Sequence, residues 1–546
     1  MPGEQSSLAK SFAGAEPKTF VLEKFGGLNT KANRPAIGDQ EFSWLENLMP
    51  IGDGNMRCLP TNGSTLYTAA GGLTVIYFYC YNINANVYTA LFFSDGSAVQ
   101  VNLSTQATTS IAGPGTFYPG SVTLGNPGPQ ASQWGTSGIL IVSTNSTSSY
   151  YAWDGATLYG PGAAAPSWLT DNTATTMPTG VSGTCIETYQ GRVWIGNGVN
   201  FTNSAPGNGA DFTANDGGGT SPVTDAFLRR EITWIRQANS FLYRGGDSSV
   251  NVISNVQSSG SPVVTTYNNQ NVDPQVGSPF HNSVAPFGRA LIFATSTGVY
   301  RLEGGSVEKI SDDALDGALS KVQNLIVNDA SINQPSAAVC NIYAVKTYCI
   351  LIPVLDLSGN YRIVMAMWSG GKKWWFGSQD RSLTFIGSQE INSQLTAYGT
   401  DGTRFFQLFA TTSTTLTKIL QSKLWAGDGL IVNKQVMRAY SLLQDNSGAG
   451  YTLTGTIDYV AENLTSSVPI TISSNQQPLV FVGTGPIQFI GLGGANLNFT
   501  VSGLTYNGET LPVTAALVGW TLTSTSPDFT IEALILLYRN FSPFGG

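Results

Sequence analysis

Charge is what this chain has least of. Of its 546 residues only 26 are Lys or Arg and 34 are Asp or Glu, so charged residues make up 11%, against roughly 25% in an ordinary soluble domain. Exposed helix surfaces are filled largely by Glu, Lys, Arg, Ala and Leu, so this scarcity argues against a helix-rich fold. Histidine occurs once, as His281. That removes any His-rich metal site and leaves a Ser-His-Asp or Cys-His centre a single residue to use. The five cysteines, Cys58, Cys80, Cys185, Cys340 and Cys349, are too few and too scattered for a disulfide scaffold or a zinc knuckle. Cys340 and Cys349 can face each other across a hairpin, although reduced core thiols are the expected state. The longest apolar runs resemble Leu534-Ile535-Leu536-Leu537, far short of the roughly 18 residues that a spanning helix needs, so no membrane insertion is expected. Met1-Pro2-Gly3-Glu4-Gln5 has no basic region leading into an apolar core, so no secretory signal is expected and synthesis is expected in a cytoplasm. A formal net charge of -8 and a pI of about 4.8 exclude a bulk electrostatic pull on nucleic acid.

What the chain does have is glycine, at 62 positions, and aromatic residues, at 11%. Thr, Ser, Asn, Val, Tyr and Phe accompany them, which are strand formers separated by turn formers. The composition predicts an all-β protein with a sizeable core. Apolar strand cores recur at Leu91-Phe92-Phe93, Leu140-Ile141-Val142, Val193-Trp194-Ile195, Phe241-Leu242-Tyr243, Leu291-Ile292-Phe293, Cys349-Ile350-Leu351 and Thr396-Ala397-Tyr398, 47 to 58 residues apart. A period near fifty is that of a propeller blade of four short strands. The spacing predicts a β-propeller of about seven blades, six to eight being compatible with it, over residues 65–423. Hairpin signals support it, notably Ala294–Leu302, Tyr151–Gly155 and Tyr398–Phe406, the last turning at Asp401-Gly402. The widest gap holds a helix pattern, Asp312 to Ile326, with Leu315, Leu319, Val322 and Ile326 on one face and Ser311 or Asp312 as its cap.

Residues 1–64 read as an N-terminal arm, an extended segment from Phe20, and a short helix. Asp39 would cap that helix, Phe42, Leu45, Leu48 and Met49 recur at helical spacing, and Pro50 would stop it. Residues 424–546 read as a separate β-sandwich-like module. Its expected strands are Lys434–Leu443, Tyr451–Ile457, Val480–Val482, Ile487–Ile490, Asn498–Val501 and Thr530–Leu534, with Leu536–Arg539 closing it.

Motifs that carry chemistry are missing. There is no phosphate-binding Gly-x-x-x-x-Gly-Lys-Ser/Thr loop, no Gly-x-Ser-x-Gly elbow, and no Ser-x-Asp-x-Gly-x-Thr-Trp turn of the kind that propeller sialidases repeat. Asp211-Phe212-Thr213-Ala214-Asn215-Asp216-Gly217 is rich in oxygen but lacks the spacing and closing Glu of an EF-hand, so a solvated loop is the better reading. His281, in Ser278-Pro279-Phe280-His281-Asn282, reads as a loop or core residue. Lys372-Lys373-Trp374-Trp375-Phe376 could stack bases or sugars, but reads better as a strand packing one blade on the next. No catalytic, metal or cofactor residue is assigned, and an enzyme is not expected.

The opening of the chain is more specific. Gly26-Gly27-Leu28-Asn29-Thr30, then the expected helix with Asn47, then Pro50, Gly54 and Arg57, resembles the opening of the tail nozzle, or packaged DNA stabilization, proteins of short-tailed bacteriophages. That family pattern is roughly Gly-Gly-Leu-Asn-Thr-Arg, a short helix ending Asn-x-x-Pro, then Gly-x-x-Arg. Lys31 stands at or beside the family's basic position, and Cys58-Leu59-Pro60 replaces the commoner Arg-Pro-Gly. Pro527-Asp528-Phe529-Thr530-Ile531, running on to Leu537-Tyr538, resembles the close of the same proteins, whose middle section is a β-propeller. The resemblance implies a virion tail protein made in the host bacterial cytoplasm and forming a homo-oligomer, a hexameric ring. It would sit below the portal-adaptor (head-to-tail connector) ring and carry tail fibres or spikes on its side. It would surround double-stranded DNA without sequence-specific binding, retain the genome and release it on ejection. The expected assembly interface is Gly26, Gly27, Leu28, Asn29, Thr30, Asn47 and Arg57, with blade closure as the plainer role for the same segment. Glycine loops at Gly217, Gly218 and Gly219 and at Gly493 and Gly494 would gate the conduit or pack between subunits. The competing reading is a propeller lectin or polysaccharide-binding tail protein, with or without hydrolysis.

Overall fold

The computed structural model describes residues 16–541 except 53, 62, 119–127, 172–174, 223–230, 323–334, 392, 412–415, 428, 430–431, 462–463 and 474–512. It is nearly all β and divides into two compact units. One comprises residues 62–371 and 381–410; the other comprises residues 1–61, 372–380 and 411–546.

The first unit is a seven-bladed propeller. Blade 1 is Val75–Ile83, Asn86–Phe93, Ala98–Asn102 and Thr108–Ala112. Blade 2 is Gln130–Trp134, Gly138–Val142, Tyr150–Trp153 and Leu158–Tyr159, and blade 3 is Cys185–Tyr189, Arg192–Asn197, Asn200–Asn203 and Gly219–Pro222. Blade 4 is Trp234–Ala238, Phe241–Gly245, Val250–Ser259 and Val264–Asp273, and blade 5 is Ala285–Phe287, Ala290–Thr295, Gly298–Glu303 and Ser306–Lys309. Blade 6 contributes Ala337–Ile342, Val345–Leu355 and Tyr361–Trp368. Blade 7 is Phe385–Ile391, Gln394–Thr400 and Arg404–Gln407, completed by Thr65–Thr68 from the start of the unit. The first strand of each blade packs on the first strand of the next, and Phe385–Ile391 packs on Val75–Ile83 to close the circle.

All seven apolar repeats of the sequence fall on the second strand of a blade. That strand is flanked within its sheet and covered on both faces, so its apolar run is nearly continuous rather than alternating. Alternate residues serve opposite neighbours. Val193 and Ile195 join Leu140, Val142 and Tyr150 between blades 2 and 3, whereas Trp194 joins Ile235, Leu242 and Ile253 between blades 3 and 4. Trp234 and Tyr243 then face Leu291, Phe293 and Leu302 of blade 5. Each such fully buried large side chain contributes roughly 1.5–3 kcal/mol of transfer free energy. The wide gap in the repeat holds the helix Asp312–Lys321, whose Leu315 and Leu319 are buried. Ile326 of the expected helix lies outside the described residues.

Among the described residues four first-to-second-strand turns have two consecutive residues at positive φ: Asn84-Ala85, Gln190-Gly191, Asn239-Ser240 and Tyr343-Ala344. Such turns match the twist of a hairpin, but their second position favours glycine. Ala85→Gly and Ala344→Gly are therefore expected to raise stability by roughly 0.5–1 kcal/mol each, seen as a higher urea midpoint at unchanged slope.

The second unit is built from both ends of the chain. One sheet runs Leu48–Ile51, Asn55–Cys58, Phe529–Phe541, Asn433–Asp445 and Val513–Ala515, with Lys18–Leu22 also pairing on Phe529–Phe541. The other runs Trp374–Gly377, Phe42–Glu46, Lys418–Ser422, Leu517–Ser524, Thr452–Ala461 and Leu464–Ser473. Phe20 stacks on Trp425 at 4.1 Å between ring centres, and Trp425 meets Tyr538 edge-on at 5.1 Å. The C-terminal module thus contains the N-terminal segment. Thr530–Leu534 and Leu536–Arg539, expected as separate strands, lie on one strand, Phe529–Phe541. The expected strands at Val480–Val482, Ile487–Ile490 and Asn498–Val501 lie outside the described residues.

The short helix expected after Asp39 is a correction: the segment forms the strands Phe42–Glu46 and Leu48–Ile51. Asn47 between them has φ 59°, a value that ends any right-handed helix. Phe42–Glu46 instead pairs antiparallel with Lys418–Ser422 and parallel with Trp374–Gly377. Asp39, the expected cap, bonds Lys423 at 2.7 Å. The aromatic run Trp374-Trp375-Phe376 is buried as a strand beside Phe42–Glu46. Non-local ladders outweighed a local periodicity that fitted both structures.

Candidate assembly site

The glycines and polar residues of the opening motif converge on one knot in the second unit. Gly27 lies flat against the 372–374 backbone: a Cβ there would stand 2.1 Å from the Lys372 carbonyl oxygen and 2.7 Å from the Trp374 nitrogen. A Cβ on Gly26 would stand 2.8 Å from the Gln40 carbonyl oxygen. Close approach lets the Leu28 amide donate to the Trp374 carbonyl at 2.7 Å and the Asn29 amide to the Phe42 carbonyl at 2.8 Å. Leu28 is buried, and Asn29 Nδ2 donates to Glu41 at 2.7 Å. Thr30 is half-buried at the end of the segment.

Asn47 is fully buried and ties three segments together. Its Nδ2 donates to Ser378 Oγ and to the Thr417 carbonyl, both at 2.7 Å, and its Oδ1 accepts from the Ser378 amide at 2.7 Å. Its amide donates to the Phe376 carbonyl, and its carbonyl accepts from Leu59. Asn tolerates the left-handed backbone and supplies both a donor and an acceptor, which few residue types do. Arg57 reaches the chain's close: its Nη2 and Nε bond the two oxygens of Asp528 at 2.7 and 3.2 Å. Beside them Cys58 Sγ accepts from the Phe529 amide, and burial pushes its thiol up to about 12.

Sequence reasoning missed a second anchor of this unit. Arg34 donates to Asp458 Oδ2 and to the Ser422 carbonyl at 2.6 Å each, and to the Trp520 carbonyl at 3.0 Å. Burial lowers its pKa, and Asp458 partly offsets that. The one signal available was Asp458 itself, a lone acid in the Thr-rich stretch 452–458. A hydroxyl-lined groove of about 650 Å³ lies along Thr452, Thr454, Thr523 and Ser526. Its hydroxyls bond one another and the backbone: Ser524 Oγ donates to the Thr452 carbonyl at 2.6 Å, and Ser526 Oγ accepts from the Thr452 amide at 2.8 Å.

In the propeller, the loop holding Gly217, Gly218 and Gly219 is strapped rather than open. The Gly217 carbonyl accepts from Asn203 Nδ2 at 3.0 Å and from Thr265 Oγ1 at 2.5 Å, and Gly217 has φ +87°. A Cβ on Gly218 would stand 2.5 Å from the Phe212 carbonyl carbon, while Gly219 has open space. Asp211 Oδ1 accepts from the amide and hydroxyl of Thr213, whose hydroxyl also donates to Asp216. The oxygen-rich loop Asp211–Gly217 thus bonds within itself. Among the described residues no cluster of three His, Cys, Asp or Glu is placed to hold a metal ion. Gly493 and Gly494 lie outside the described residues.

The centre of the propeller carries polar links that sequence reasoning did not reach. Blade 1 meets blade 2 through Tyr79 OH, which accepts from the Gln133 amide at 3.1 Å, and Thr188 Oγ1 of blade 3 donates to the Gln133 carbonyl at 2.7 Å. Ser388 Oγ of blade 7 accepts from the Val339 amide of blade 6, and Gln389 of blade 7 donates to Asn82 of blade 1. Between blades 3 and 4 the link is ionic, Arg236 Nη1 to Glu187 Oε2 at 3.3 Å. Burial pushes the Glu187 carboxyl up to about 7, with Arg236 pulling the other way. Burial works to lower the Arg236 pKa, but Glu187 and the nearby Tyr77 and Tyr79 hydroxyls hold it above its ordinary value. His281 is buried in a short 3-10 turn, with Nδ1 2.9 Å from the Thr233 carbonyl, so that Nδ1 carries the proton. Burial, and secondarily Arg236, lowers its pKa to about 3. Its ring carbon shifts are expected to stay flat in NMR between pH 8 and 5; a midpoint near the ordinary 6.5 would refute this placement.

No family model and no curated protein matches the chain. Among solved structures it is similar to U3-55K, at 8% identity and a TM-score of 0.37, over 64% of this chain and 99% of that one. Among the described residues no helix is long and apolar enough to cross a membrane.

Proposed function

We propose that the chain is a structural subunit of a short-tailed bacteriophage tail nozzle, a ring that extends the DNA conduit beyond the portal-adaptor. The observation that carries this reading is the Arg57–Asp528 pair. The resemblance rests on two short motifs at opposite ends of the chain, and this contact joins them across 471 residues. They therefore behave as one structural feature rather than two independent coincidences. The propeller between them, with blades near fifty residues, has the architecture that the resemblance implies for the middle section.

The composition suits the role physically. A conduit must not hold what passes through it, because each phosphate neutralised by Lys or Arg adds affinity. A chain with 26 basic and 34 acidic residues offers little grip, and neutral Ser, Thr, Asn and Gly surfaces let a duplex slide. The virion location, the hexamer, the portal-adaptor, the fibres or spikes and the surrounded DNA belong to this proposal. Two measurements test it: the mass of the purified protein in solution, and electron micrographs of its mixture with a portal–adaptor complex. Rings, or added density at the far end of the adaptor, are expected. A persistent monomer that ignores the adaptor and binds glycans would replace this reading with the lectin.

A further inference from the structure

We propose that Cys340 and Cys349 form a latent disulfide site that locks the first hairpin of blade 6 in oxidising surroundings. The two residues sit on the antiparallel strands Ala337–Ile342 and Val345–Leu355. Cys340 lies opposite Thr347, and Cys349 lies opposite Ala338. The cysteines are therefore diagonal neighbours on one face, since residues two apart on a strand share a face. Their sulfurs are 3.9 Å apart, and both residues are buried. Both are free thiols, so closing the bond requires the sulfurs to approach to about 2.05 Å.

The other three cysteines have different neighbours. Cys58 Sγ accepts from the Phe529 amide, Cys80 bonds Thr89 Oγ1, and Cys185 bonds the Gly196 carbonyl. Pairing is thus specified by the fold and not by thiol abundance. The oxidant is a small-molecule disulfide. One protein thiol loses its proton, and its thiolate attacks the small disulfide, forming a mixed disulfide and expelling one small thiolate. The second protein thiol loses its proton and attacks the protein sulfur of that mixed bond. This forms the Cys340–Cys349 bond and expels the second small thiolate. The small disulfide gains the two electrons that the cysteines lose, and the expelled thiolates take up the two protons. Burial raises the Cys349 pKa and disfavours its thiolate, so the exchange waits on opening of the hairpin and is slow.

The test is incubation of the full chain with oxidised glutathione, alkylation under denaturing conditions, and intact mass. Alkylatable thiols should fall from five to three. Trypsin cuts after Lys321, Lys346 and Arg362, so a disulfide-linked pair of peptides, 322–346 with 347–362, should appear and vanish on reduction. The oxidised protein should unfold a few degrees higher than the reduced one. Cys340→Ser should abolish the linked pair and leave four alkylatable thiols; because this variant could fold less well, Cys58→Ser is run beside it and should retain the linked pair. Five free thiols after prolonged oxidation, a glutathione adduct without the internal bond, or a link to Cys58, Cys80 or Cys185 would overturn the proposal.

Discussion

Gly27→Ala loses the folded second unit or costs it several kcal/mol. The added methyl would stand 2.1 Å from the Lys372 carbonyl oxygen, a backbone atom that no rotamer change can move. Relief requires the 26–30 segment to lift from the strand Trp374–Gly377. Lifting breaks the Leu28–Trp374 bond at 2.7 Å and strains the bond from the Phe42 amide to the Gly27 carbonyl at 3.1 Å. Overpacking of this kind costs roughly 1–3 kcal/mol, and each buried backbone group left unpaired adds about as much. Chemical denaturation followed by near-ultraviolet signals from Trp425 and Trp520 reports this unit. Gly52→Ala is the control: Gly52 also lies in the opening segment but has open space around it, so only its φ of +58° opposes the change, by about 1 kcal/mol. Equal effects of the two substitutions would refute the close-approach argument.

The second large effect concerns the ionic link at the propeller centre. Arg236→Met should cost about 1–3 kcal/mol at pH 8, because the half-buried Glu187 is then left without its partner. At pH 5 the loss should shrink, since the carboxyl can take a proton instead. Glu187→Gln combined with Arg236→Met should recover much of the loss, whereas simple lost packing would make the two changes additive. The sign of the pH dependence follows from the raised pKa. In the unfolded chain Glu187 ionises near the ordinary 4.5, in the fold near 7. The fold therefore holds this proton more tightly, a contribution complete below 4.5 and lost as pH rises through 7. His281 acts oppositely. With its pKa depressed from 6.5 to about 3, its contribution is present above 6.5 and lost as pH falls toward 3. Wild-type stability alone mixes the two, so the measurement is the difference in urea midpoint between wild type and Glu187→Gln. That difference should favour wild type most at low pH and narrow toward pH 8; a difference independent of pH would refute the assignment.

Much of the architecture was legible in residue order. Blade number and spacing could be read because each second strand, buried on both faces, leaves a compact apolar run such as Leu140–Val142 or Leu291–Phe293. The hairpins at Thr295–Gly298 and Asp401–Gly402 announced themselves through turn chemistry. The segment 42–51 misled because an apolar pattern with steps of three and four fits a helix, while the ladders it joins come from residues 374–377 and 418–422. The residues of the knot were legible as a motif, but their role was not: Asn47 reads as a helix-ending Asn until its bonds to Ser378 and Thr417 are seen.

The sequence by itself determined the β class, the period of the blades and the shortage of charge, because these depend on composition and on contacts within some fifty residues. Only the tertiary structure decided that Arg57 pairs with Asp528, that Arg34 pairs with Asp458, and that Glu187 meets Arg236 between two blades. A charged side chain carries no mark of its partner. When oppositely charged residues stand 49 to 471 positions apart, which pairs form is settled by the hydrophobic packing that brings their strands together.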